Sequence, residues 1–168
     1  MNQTFRYVLG AVALTGFLLS LLAHVMALLG TDLAASVPAV WDLHFGIFVV
    51  FIPFVLLSRK GLAGRNSMLG IAADTPRWVV MLGATIFAYA MVNFFLFTQH
   101  TEGGNAVVQC GKYVLLSHGK LIRELTASEY TALKANELRG FSGHWLLFYF
   151  MPAAYFLLSK PDAERGDV

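Results

Sequence analysis

Hydrophobic and polar positions along this chain fall into long blocks instead of short periods. Between Arg6 and Asp32 lie 25 residues without a formal charge, enough to cross roughly 30 Å of hydrocarbon at about 1.5 Å per residue. Comparable apolar blocks run from Pro38 to Leu57, from Trp78 to Thr98 and from Phe141 to Leu158. The pattern predicts four transmembrane helices, with spans near 7–29, 38–57, 78–98 and 141–158, in a single integral membrane domain over 1–168. The first block is N-terminal, but its apolar run far exceeds a signal core and only Arg6 precedes it as a base, so it reads as an anchor. The second is the shortest, because only 16 residues separate Asp42 from Arg59. Part of Pro38 to Trp41, or snorkelling by Arg59 and Lys60, must complete it. Pro53 and Pro152 predict kinks in the second and fourth helices.

The polar stretch from Thr101 to Gly140 carries its own organisation. Ala106 to Cys110, Tyr113 to Ser117 and Lys120 to Leu125 are β-prone runs, separated by Gly111-Lys112 and His118-Gly119. Two-residue separators containing glycine suit tight hairpins, which predicts a three-stranded meander. Thr126 and Glu129 have capping-box spacing, in which a hydroxyl and a carboxylate satisfy the free amides at a helix start. A short helix to about Leu138 should follow, and a unit this small should lie against the membrane domain. The expected fold is therefore an all-α membrane protein of four bundled helices, with a small β-rich extracytoplasmic cap over 101–140 between helices three and four.

Charge sets the expected orientation. The first connection, Thr31 to Val40, has no Lys or Arg, whereas the second holds Arg59, Lys60, Arg65 and Arg77. Basic residues mark the inner side, which places both termini and that loop in the cytoplasm of a bacterial-type cell and the cap outside. Lys112, Lys120, Arg123, Lys134 and Arg139 in the cap oppose this placement, partly offset there by four glutamates. Composition agrees with a membrane class: 57% of residues are hydrophobic, 13% are charged and the mean hydropathy is +0.63. A net charge of +2 with no basic run gives no sign of a nucleic-acid partner. The single cysteine, Cys110, excludes an internal disulfide and multi-cysteine metal motifs, and reads as an incidental small residue in a strand or turn.

Two histidine-bearing blocks echo each other. His44 and His144 are each followed by an aromatic residue, by a phenylalanine four positions on (Phe48, Phe148), by a mid-block proline and by Leu-Leu-Ser with a basic residue. Arg6 to Ala11 likewise resembles Arg77 to Ala84 apart from a two-residue insertion. A duplicated hairpin would relate the halves by a pseudo-two-fold axis along the membrane normal and bring His44 and His144 to matching depth.

The chemistry these residues admit divides into two classes. Two imidazoles from facing helices can ligate a b-type haem, and the aromatic and small neighbours Phe45, Gly46, Gly143, Trp145 and Phe148 could line a porphyrin or a quinone. A metal reading groups His24, His44, His100 and His144 with Asp42 or Glu102 as an outer copper or zinc site, with His24 and His100 as its added ligands. Every histidine lies on a different segment, so no helix supplies two ligands one turn apart. Trp41 and Trp145 also fit an interfacial aromatic belt. Ser142 reads as a helix N-terminal residue, and no enzyme motif is present. The first expectation is therefore a non-catalytic subunit or scaffold of a membrane complex, or a homo-oligomer. The outer β-cap and the small-residue face of Gly10, Ala13, Gly16 and Ser20 would bind other proteins, while Asn93 would form an interhelical hydrogen bond. The second is a haem or quinone protein using His44 and His144.

Overall fold

The computed structural model describes residues 2–61 and 75–159. The expected basic loop at Arg59, Lys60 and Arg65 falls largely outside that set as far as side chains are concerned, and the polar tail from Lys160 lies outside it altogether. Helix α1 (Gln3–Leu28) leads through a one-turn helix α2 (Leu33–Ser36) and a 3₁₀ turn (Pro38–Trp41) into α3 (Asp42–Gly61). Helix α4 (Arg77–Gln99) is followed by β1 (Asn105–Gln109), β2 (Lys112–Ser117) and β3 (Lys120–Glu124), and the chain ends in α5 (Ala127–Leu158). Among the described residues four helices are long and apolar enough to cross a membrane. The fold is thus mostly helical but not all-α, since an antiparallel sheet of order β1-β2-β3 sits between α4 and α5.

The fourth span departs from expectation in a way that shapes the molecule. The predicted short cap helix and the last transmembrane helix are one continuous element of 32 residues, α5, about 48 Å long. Gly140 does not break it, because that glycine serves close packing: a Cβ there would overlap the Phe97 ring of α4. Pro53 and Pro152 likewise lie inside continuous helices.

Helix α5 is the hub. Helices α1, α3 and α4 all pack on it, and among the described helices it is the only one on which α4 packs closely. A pseudo-two-fold axis would make α3 meet α4 as α1 meets α5, and that contact is marginal at most. The packing therefore departs from two equivalent hairpins. The small-residue stripe of α1 also has a use other than the expected one. Gly10, Ala13, Gly16 and Ser20 are all buried inside the chain, and a Cβ at Gly10 would strike Leu157, at Gly16 the Tyr149 ring. This face is spent on α5, so it is not the partner surface the sequence suggested. At the far end Arg6 donates from Nε to the Phe156 carbonyl at 2.7 Å and from Nη2 to the Tyr155 and Ser159 carbonyls, capping the acceptors freed where α5 stops.

The cap is fixed by local chemistry. Both hairpin turns use left-handed pairs, Cys110 (φ 50°) with Gly111 (φ 77°) and His118 (φ 48°) with Gly119 (φ 79°), the geometry that matches strand twist. Ala106, Leu115 and Leu125 form a small core against Tyr130 and Leu133 at the start of α5. Thr126 and Glu129 make the capping box in full, and Arg123 bridges Glu102 and Glu129. The Thr126 amide and hydroxyl, with Arg123, hold the Glu129 carboxyl down to about 2 from its ordinary 4.5. A depressed carboxylate stabilises the fold fully above its unfolded value and loses that contribution as pH falls through the folded one. Protection factors of the amides from Thr126 to Tyr130 should accordingly fall between about pH 4.5 and 2, while protection within the membrane-spanning part of α5 stays unchanged.

Candidate functional site

His44 and His144 line one cavity of about 480 Å³ between α3, α4 and α5. Apart from Ile47 and Gly140, its remaining wall is aromatic, with Phe48, Phe51, Phe94, Phe97, Phe141, Trp145 and Phe148. Phe48 and Phe94 are themselves exposed on the outside of the protein, so the cavity adjoins the surface that would face lipid. A larger groove of about 760 Å³ between α1 and α3 is almost wholly apolar and holds no histidine. The smaller cavity is the one with chemistry in it.

The hydrogen bonds of the two rings determine what each offers. The indole Nε1 of Trp145, which can only donate, reaches His44 Nδ1 at 3.0 Å. That nitrogen must carry the lone pair, so the neutral His44 ring holds its proton on Nε2. His144 is the converse. Its Nδ1 lies 2.8 Å from the Gly140 carbonyl, which can only accept, so Nδ1 carries the proton and Nε2 the lone pair. Neither Nε2 has a hydrogen-bond partner among the described residues. One wall of the cavity thus presents a donor and another an acceptor. Edge-on rings hold both imidazoles: Phe141 lies 5.7 Å from His44, and Phe94 lies 5.2 Å from His144.

This polarity does not fit the iron site the sequence suggested. Ligation through both Nε2 atoms needs a lone pair on each, and Trp145 commits that of His44 to Nδ1. The wider metal grouping also fails on geometry. His24 lies buried instead of on the outer surface, with both nitrogens engaged: Nδ1 with Ser142 Oγ at 2.8 Å and Nε2 with Tyr89 Oη at 2.5 Å. Exposed His100 turns Nδ1 back to the Leu96 carbonyl at 2.6 Å. Among the described residues no three His, Cys, Asp or Glu side chains gather as a metal set.

A second polar layer supports the cavity from behind. Ser142 Oγ donates to the Leu138 carbonyl at 2.7 Å, so it accepts from His24 Nδ1, and Tyr89 then donates to His24 Nε2. Asn93 Nδ2 donates to the Arg139 carbonyl at 3.0 Å, the interhelical bond expected of that residue. Together these link α1 and α4 to the same turn of α5 that carries His144. Sequence reading missed Tyr89 and the donor role of Trp145, and gave Ser142 a terminal place in place of a mid-helix one. The spacing of Tyr89 and Asn93, four apart on one apolar helix, was the available signal.

Comparison of the chain with known protein families, with curated proteins and with solved structures finds no match.

Proposed function

We propose that this is an integral membrane protein that binds a ring-bearing lipophile of quinol type in the His44/His144 cavity. The observation that carries this reading is the opposite polarity of the two histidines. A quinol supplies hydroxyl oxygens that accept from His44 Nε2–H and a hydroxyl hydrogen that donates to His144 Nε2. The oxidised quinone has only acceptors, so it satisfies His44 and leaves His144 without a proton to accept. The aromatic wall suits a flat ring, and a mostly apolar cavity with a few placed polar groups is the usual form of a small-molecule site.

Binding is tested by titrating detergent-purified protein with a short-chain benzoquinol and with its quinone, reading quenching of Trp145 and Trp41. We expect saturable quenching, tighter for the quinol by about tenfold, the worth of one net hydrogen bond of about 1.4 kcal/mol. His44→Ala and His144→Ala should each weaken quinol binding by a similar factor. Unsaturable quenching, or binding indifferent to both substitutions, overturns the reading. A Soret band in protein prepared with haem, lost in the double variant, would restore the iron site instead.

A second reading, a subunit or scaffold with a protein partner or a second copy, rests on the cap. Val108, Leu121 and Ile122 are 57%, 60% and 47% exposed there, and β3 is an open sheet edge that another strand could join. In either case we place the cap outside a bacterial-type cytoplasmic membrane and both termini inside, supported by the bases Arg6 and Arg77 at the end opposite the cap. Cys110 is exposed in the first hairpin turn and is the chain's sole cysteine. A membrane-impermeant maleimide should therefore label intact cells, and labelling only after lysis would invert the topology.

A further inference from the structure

Arg139 of α5 is a guanidinium with a buried and empty edge. Its Nε and Nη2 are shut off from solvent and have no hydrogen-bond partner, and no acid among the described residues forms an ion pair with it. These two nitrogens point their N–H bonds in parallel, the fork that fits two oxygens of one oxyanion. The same chain shows that edge in use. Arg123 sets Nε at 3.1 Å and Nη2 at 3.0 and 3.1 Å from the Glu102 carboxylate, and Arg6 spends Nε and Nη2 on the carbonyls at the end of α5. At Arg139 no such acceptor is supplied by the described residues. Its nearest acid in sequence, Glu137, is paired with Lys134.

The surroundings indicate what acceptor would fit. Asn93 of α4 donates to the Arg139 carbonyl, and the His24–Tyr89 hydrogen bond joins α1 to α4 beside the same turn of α5, so Arg139 lies where three helices meet. Gly140, the next residue, packs on Phe97, two positions from the end of α4 at Gln99. That is the depth at which the hydrocarbon gives way to lipid phosphates. An intramembrane cation without a partner acid marks a ligand or ion pathway. We infer that Arg139 holds a phosphate-type oxyanion on its Nε–Nη2 edge at the cap-side boundary of the membrane. The oxyanion comes either from a lipid headgroup or from free phosphate, and the site is separate from the His44/His144 cavity.

The test is thermal unfolding of delipidated protein in neutral detergent, titrated with inorganic phosphate, with dihexanoyl phosphatidylglycerol, and with chloride at matched ionic strength. We expect the midpoint to rise with a phosphate-bearing probe and not with chloride. A response to both probes assigns a free oxyanion, and a response to the phospholipid alone assigns a headgroup. Arg139→Gln should abolish the response. Arg139→Lys keeps the charge but loses the fork, and should weaken apparent affinity about tenfold, which keeps the test decisive if the glutamine variant does not fold. No response to either probe, or equal affinity in wild type and Arg139→Lys, overturns the site.

Discussion

Replacing Trp145 with alanine is expected to destabilise the protein by on the order of 3 kcal/mol and to weaken quinone binding by releasing the His44 tautomer. Trp145 is fully buried, stacked edge-on against Trp41 at 5.8 Å and bonded to His44. In a bilayer the transfer term of such a truncation is small, because lipid is as apolar as the core, but the lost dispersion contacts and the cavity remain. The functional effect is separable through Trp145→Phe. Phenylalanine keeps most of the packing but cannot donate, which frees His44 Nδ1 and lets the ring place its proton on either nitrogen. The alanine variant should lower the unfolding midpoint in detergent strongly. The phenylalanine variant should lower it little and weaken quinone binding by roughly the fraction of His44 left with its proton on Nε2, while the quinol preference, which His144 sets, persists. Unchanged quinone affinity in Trp145→Phe would show that the indole does not set the His44 tautomer.

Gly143→Leu is the second large effect. A Cβ at this position already overlaps the Asn93 amide and lies 3.6 Å from His24 Cε1, so a full leucine side chain must push α4 and α1 off α5. Overpacking costs about 1–3 kcal/mol, and losing the Asn93 to Arg139 bond adds roughly 0.6 kcal/mol in a membrane. Helix α4 is the least buried of the four candidate spans and has its main packing contact on α5, so it should be the element that detaches. Protease sensitivity around Arg77 and a lowered midpoint in a detergent titration check this. Asn93→Ala should reproduce only the smaller, hydrogen-bond part. Wild-type stability in Gly143→Leu would mean that this face is looser than its contacts indicate.

Block hydropathy was enough to locate the apolar helices, and the glycine-bearing separators at Gly111 and Gly119 located the hairpins, because both signals are local. The end of the cap helix was misread for the opposite reason. Gly140 looks like a helix stop, but Phe97 from another element decides its use, and a partner 43 residues away leaves no mark in a window of ten. The same holds for Gly10 and Gly16, whose small size is explained by Leu157 and Tyr149 within the chain. The candidate histidines were visible as polar interruptions of apolar runs. What each can do was not, since the tautomers of His44 and His144 follow from Trp145 and from the Gly140 carbonyl, and a sequence carries no hydrogen positions. His24 was grouped with potential ligands until Ser142 and Tyr89 accounted for both of its nitrogens.

The hub position of α5 has a consequence for how the chain is made. It leaves the ribosome after α1, α3 and α4, yet all three find their main packing surface on it. Until it inserts, α4 lacks that surface, and neither the aromatic cavity nor the His24 layer can close. Maturation should therefore come late and all at once. Chains arrested before Ala127 would be held in the membrane by hydropathy alone, open to quality-control proteases, and a separately expressed α5 segment would be the piece able to rescue them.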